Sequence, residues 1–154
     1  MSAQSRPQSP AELTQLYSGT LLALAADIPH VGRLDAPMVS VKERAPLCGS
    51  TVTVDMDVED GRVTRFAQDV KACALGQASA SVLGRHVLGR TESELRRACD
   101  ELAAFLKEDG PIPSAPFEGF EALLPARAFK NRHASILLAI TATCRGFDEL
   151  TRTV

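Results

Sequence analysis

Ser50-Thr51-Val52-Thr53-Val54-Asp55-Met56-Asp57-Val58 is the stretch that decides the fold. Val52, Val54, Met56 and Val58 alternate with Thr51, Thr53, Asp55 and Asp57, and a period of two sends the two sets to opposite faces of an extended strand. One apolar and one polar face describe a strand half-buried on one side of an antiparallel sheet, because strands covered on both faces lack such alternation. Asp55 and Asp57 then belong to a solvated face, and their D-x-D spacing is no metal pair. Glu59-Asp60-Gly61 supplies a hairpin turn, with Gly61 free to take positive φ. Arg62 to Val70 returns as the next strand, and Met38 to Arg44 precedes as a short first one.

Helical signals flank this meander. Residues 1–8 are polar and proline-containing and read as a loose tail. Ser9 caps, Pro10 suits a first helical position and Glu12 completes a capping box, after which Leu13, Leu16, Tyr17, Thr20, Leu21 and Leu24 form a stripe ending near Asp27. Ile28 to Pro37 is a connection. Beyond the strands, Cys73 to Leu88 is rich in small residues, and Thr91-Glu92-Ser93-Glu94 is a second capping box that opens a helix to about Glu108. Phe117 to Leu124 predicts a short helix, and Asn131 to Arg145 another, closed by Gly146. A strand meander followed by grouped helices predicts an α+β fold, a three-stranded antiparallel sheet with helices packed on one face, over a single domain of residues 9–154.

Composition narrows the function. The 154 residues hold 17 Lys and Arg against 19 Asp and Glu, a net charge of −2, which advertises no basic face for nucleic acid or an anionic membrane. The longest apolar run, Leu21 to Ala26, is far short of the roughly 20 residues that span a bilayer. Met1 to Pro10 has no apolar core like that of a signal peptide, so the expected location is the cytoplasm.

Four cysteines sit at 48, 73, 99 and 144, with no C-x-x-C pair. A cytoplasmic chain keeps thiols reduced, so no disulfide framework is expected. Cys99 falls on a stripe with Leu95, Ala98, Leu102 and Phe105, and Cys144 on one with His133, Ile136, Leu137 and Ile140. Both read as small buried hydrophobes without chemistry. Cys144 also lies about 16 Å along the helix from His133, too far to share a metal. Cys48 lies instead in the turn Pro46-Leu47-Cys48-Gly49-Ser50, and Cys73 where a strand gives way to a helix. Unpaired N–H groups and the helix dipole there favour thiolate, the form that binds metals and attacks sulfur. From position alone each is structural or functional. His133 opens the last helix after the basic lead-in Arg127 to Arg132, whereas His30 and His86 lack any partner.

Taken together, these segments resemble the iron–sulfur cluster assembly scaffold family, the NifU N-terminal-domain and IscU/SufU-like proteins. Tyr17-Ser18 with Ile28-Pro29-His30-Val31-Gly32 is similar to the family's first helix and its P-x-x-V-G turn. Pro46-Leu47-Cys48-Gly49 resembles the first ligand loop, and Lys71-Ala72-Cys73 to Ser81 the second ligand motif. Gly89-Arg90-Thr91 is similar to G-K-[ST], and Arg132-His133-Ala134-Ser135-Ile136-Leu137 resembles H-C-S-x-L. The resemblance implies a non-enzymatic scaffold that accepts sulfur from a cysteine desulfurase, builds a [2Fe–2S] cluster and passes it to recipient apo proteins. Cys48, Cys73 and His133 carry over as ligands for the cluster, for iron, or for zinc in the same pocket.

Ser50 stands where the family usually has Asp, Ala134 where it has a third Cys, and Leu124-Pro125-Ala126-Arg127 in place of its chaperone-binding segment. A Cys₂His set leaves one tetrahedral position open to water or to a partner's thiol. A cluster is therefore expected to be labile, or to borrow a ligand from a small thiol, a partner or a second copy of the chain. Ala134→Cys is expected to strengthen it more than Ser50→Asp. The alternatives are a zinc-binding sulfur-relay accessory and a partner-binding module on a degenerate scaffold, neither of which assembles clusters.

Overall fold

Asp60 and Gly61 both take left-handed φ, 54° and 76°, the two-residue turn whose twist matches that of the strands it joins. The computed structural model describes residues 17–152. In it β1 (Val39–Arg44), β2 (Thr51–Glu59) and β3 (Arg62–Lys71) form an antiparallel sheet in the order β1-β2-β3. Val54 at the centre of β2 stands opposite Val41 on one side and Gln68 on the other. The helices are α1 (Gly19–Ala26), α2 (Ala74–His86), α3 (Glu92–Lys107) and α4 (His133–Arg152), with 3₁₀ segments over Glu118–Ala128 and Lys130–Arg132. Helix α4 crosses β1 and β2 and packs against α2 and α3. Val52, Val54 and Met56 are buried beneath it, so the expected α+β fold with helices on one sheet face is the observed one.

The second face of β2 departs from expectation, since Asp55 and Asp57 are buried. Residues 28–38 run over them, tied to β3 by a parallel bridge between Val31 and Gln68. A carboxylate leaves water only when its oxygens are met by donors. Arg33 Nε donates to Asp55 Oδ2 at 2.7 Å and the Leu34 N–H to the same oxygen at 3.0 Å. Met38 N–H and Arg65 Nη1 donate to Asp57 at 2.8 and 2.9 Å. Alternation located these residues on one face, but the covering loop has no periodicity by which to announce itself.

Burial alone would push the Asp55 carboxyl up, but the donors from Arg33, Ser40 and Leu34 outweigh it and hold it below its ordinary value. A depressed folded pKa contributes stability above the unfolded value, near 3.9, and that contribution is lost as pH falls through the folded pKa. Removing one partner of a pair strands the other charge where it is buried, so Arg33→Ala should destabilise the fold at pH 7 by leaving the Asp55 carboxylate without its cation. Urea melts are expected to show that cost shrinking as Asp55 protonates.

The helix ends were only partly legible. Thr91 caps α3 as expected, accepting from Glu94 N–H while the Glu94 carboxylate accepts from Thr91 N–H. Among the described residues, Ser18 caps helix α1, accepting from Leu21 N–H at 3.3 Å, and the stripe positions Leu13 and Leu16 lie outside them. The tail over 1–8 and the cap signals at Ser9, Pro10 and Glu12 lie outside the described residues. Gly146 does not close α4, which continues to Arg152. A Cβ there would meet Met56 Cε at 2.5 Å, so this glycine serves the helix–sheet crossing. Phe117 to Leu124 is 3₁₀ rather than α-helical, extended to Ala128 and hung on α3 by Arg127, whose Nε donates to Phe105 O at 2.6 Å.

Candidate metal and sulfur site

Three elements converge at the end of the sheet beside the β1–β2 turn. Gly49, at φ 75°, lets residues 45–50 turn tightly, with Gly49 N–H donating to Ala45 O and Ala45 N–H to Ser50 O, both at 2.9 Å. That turn presents Cys48 to solvent. Cys73 is the N-cap residue of α2, in extended conformation and without a side-chain capping bond. Ser135, in the first turn of α4, joins the two thiols. Cys48 Sγ lies 3.1 Å from Ser50 Oγ, Ser135 Oγ donates to Ser50 Oγ at 3.1 Å, and Cys73 Sγ lies 3.5 Å from Ser135 Oγ.

The small residues of α2 explain how these elements approach so closely. A Cβ on Gly76 would meet Ser135 Oγ at 2.7 Å and Ala72 Cβ at 2.8 Å, and Ser79 Oγ donates to Ile136 O at 2.6 Å. Gly76→Ala therefore trades a helix-propensity gain of about 1 kcal/mol against a clash of roughly 1–3 kcal/mol. A net loss of about 1 kcal/mol is expected in the denaturant midpoint, with Ser135 displaced from Cys73.

Cys48, Ser50 and Cys73 line an open cleft of about 400 Å³ together with Lys71 and Arg132. Hydrogen bonds from the side chain and backbone of Ser50 draw the Cys48 thiol below its ordinary value, against slight burial. For Cys73 burial is the largest influence and raises the value, but Ser135, the N–H groups of Gly76 and Leu75, and Arg132 together bring it below the ordinary thiol range. Two thiols disposed toward thiolate thus sit beside two cations, a setting for soft metals or sulfur transfer.

Of the three residues expected to share a site, the structure brings Cys48 and Cys73 together and leaves His133 apart. His133 is buried, its Nε2 is 2.9 Å from Ala126 O, and it lines a separate cavity with Lys107 and Lys130. Successive helical residues turn by about 100°, so His133 and Ser135 point to nearly opposite sides of α4. Ala134 is exposed and does not line the cleft. Among the described residues, no group of three or more His, Cys, Asp or Glu side chains converges to hold a metal ion. Sequence reasoning missed Ser135, Lys71 and Arg132. The serine within Arg132-His133-Ala134-Ser135 was the one available signal, and only the helix phase reveals where it points.

The fold is thus a three-stranded antiparallel sheet with helices on one face and two cysteines at one end. No family model matches the chain. It is similar over 93% of its length to a nitrogen-fixing NifU-like protein (N-terminal) from Brucella abortus, with 40% identity, a TM-score of 0.90 and 99% of that chain covered. It shares the fold of a putative iron–sulfur cluster assembly scaffold protein for the SUF system from Fervidobacterium islandicum AW-1, at TM-score 0.74 and 15% identity, covering 84% of this chain and 94% of that one. The iron–sulfur cluster assembly scaffold protein IscU of Thermotoga maritima is 29% identical over 86 residues, 56% of this chain and 61% of that protein. The chain thus spans under two thirds of that curated relative. It belongs to the NifU/IscU-like scaffold family. Among the described residues, no helix is long and apolar enough to cross a membrane.

Proposed function

We propose that the chain is an iron–sulfur cluster assembly scaffold whose Cys48 and Cys73 take up sulfur and hold iron at the cleft. The carrying observation is the pair of lowered thiols joined through Ser50 and Ser135, on a fold whose relatives are described as such scaffolds. Cys48, exposed on its turn, is the residue that a cysteine desulfurase would reach. Its thiolate attacks the outer sulfur of the desulfurase's persulfide, the S–S bond breaks, and the desulfurase thiolate leaves. Cys73, held at the helix N-terminus, is the second ligand. Lys71 and Arg132 offset the negative charge that thiolates and sulfide bring to the cleft.

A [2Fe–2S] cluster is commonly held by four thiolates, and one chain offers two here. His133 could join only by giving up Ala126 O and swinging around α4, so the ligand duty falls on the cysteines, and a second copy of the chain supplies the other pair. Anaerobic reconstitution with ferrous iron and sulfide is expected to give a visible-absorbing cluster in a dimer, read by native mass spectrometry, that could then pass to recipient apo proteins. Absence of bound iron and acid-labile sulfide would overturn cluster assembly. The exposure of Cys48 favours one second reading, a sulfur relay that holds zinc. It predicts persulfide on Cys48 and zinc in the cleft with no cluster.

A further inference from the structure

The two cysteines outside the cleft line one small cavity between α3 and α4. Helices α3 and α4 pack antiparallel, with Arg96 Nη2 reaching Cys144 O at 3.4 Å and Asp148 Oδ1 at 2.5 Å. One turn further along α3, Cys99 Sγ lies 3.9 Å from Thr141 Oγ1, and Cys99 and Cys144 line the same cavity. Both thiols open onto a small surface cavity of about 120 Å³ lined also by Arg96 and Asp100. Cys144 is buried at its floor and Cys99 half-buried at its wall. The helical stripes mark both as core fillers and cannot show this juxtaposition, which depends on how two helices meet.

We infer that Cys99 and Cys144 form a redox-active dithiol, separate from the assembly cleft, that reacts with low-molecular-weight disulfides and closes to a bond between α3 and α4. A thiophilic cation is the poorer occupant, since the Arg96 guanidinium repels it and Asp100 does not converge with the two thiols into a ligand group of three among the described residues. The neighbouring Cys144 thiol draws the Cys99 thiol down against its burial, with help from Thr141 and Arg96. The same contact and burial push Cys144 up. Cys99, the more exposed of the two, is the attacking sulfur and the buried Cys144 the resolving one, because the attacking thiol must reach the small disulfide.

The exchange balances without further reagents. Cys99 thiolate attacks one sulfur of the small disulfide, whose S–S bond breaks and whose other half leaves as thiolate. Cys144, losing its proton, then attacks the Cys99 sulfur, and the second small thiol leaves. Two protein thiols are oxidised, one disulfide is reduced to two thiols, and the two protein protons end on the released thiols.

The test uses the full chain carrying Cys48→Ser and Cys73→Ser, incubated with oxidised glutathione and mapped without reduction. The expected result is loss of both remaining free thiols and a linked peptide pair joining Cys99 to Cys144. Adding Cys144→Ala should leave glutathione trapped on Cys99, and adding Cys99→Ser should leave Cys144 unmodified. Near-ultraviolet circular dichroism checks that each variant folds. A stable glutathione adduct on Cys99 while Cys144 remains a free thiol would overturn the proposal, as would two unreacted thiols in the folded chain. If the Cys144 variant does not fold, the linked peptide in the parent and an unmodified Cys144 in Cys99→Ser still decide the matter.

Discussion

Cys73→Ser is expected to lower iron and sulfide loading by more than about 100-fold while leaving the protein as stable as before, or more so. Outer-shell changes at metal sites already cost about 10–100-fold, and this one removes one of two thiolates. The stability expectation has a separate origin. Cys73 is the N-cap of α2 but makes no side-chain capping bond, whereas serine is a favoured cap worth about 1 kcal/mol over a residue that cannot accept from the helix N–H groups. A cysteine at this position forgoes helix stability and gains thiolate. A thermal midpoint that holds or rises while loading collapses would separate loss of a ligand from loss of the fold. Cys48→Ser should lose less, since Cys48 is exposed on a turn and is not held by a helix N-terminus. Unchanged loading in Cys73→Ser would remove this residue from the site.

The second large effect is a gain. Ser135→Cys should tighten zinc binding by about 100-fold, or about 2.7 kcal/mol at 1.36 kcal/mol per tenfold. Ser135 Oγ already touches both Ser50 and Cys73. A third thiolate there would complete a Cys₃ set, a ligand combination that suits zinc and iron–sulfur centres alike. Ala134→Cys, which the family motif favours over Ser50→Asp, should now gain less than Ser135→Cys, because Ala134 is exposed and away from the cleft. Competition against a zinc-chelating dye ranks the variants. A larger gain at 134 than at 135 would mean that α4 presents its other face to the metal.

Local order was legible wherever a residue's role depends on its near neighbours in the chain. The alternation of Val52, Val54 and Met56, the Asp60-Gly61 turn and the Thr91–Glu94 capping box are fixed by steric and hydrogen-bonding rules spanning two to four residues, and the structure repeats them. The motif order that resembles the scaffold family was legible for the same reason, and with it the α+β architecture. The placement of Cys48 on a turn and Cys73 at a helix start also belongs to this local grammar.

What only the tertiary structure decided is which faces meet. Burial of Asp55 and Asp57 depends on a loop that reaches them from residues 28–38. The role of Gly146 depends on Met56, brought to it from another element. The exchange of His133 for Ser135 at the cleft rests on the phase of α4, set by how its whole buried stripe packs against the sheet and not by the motif at its start. The meeting of Cys99 with Cys144 likewise depends on the register of two antiparallel helices. Each of these is a contact between segments distant in sequence, and the packing of the complete core selects it.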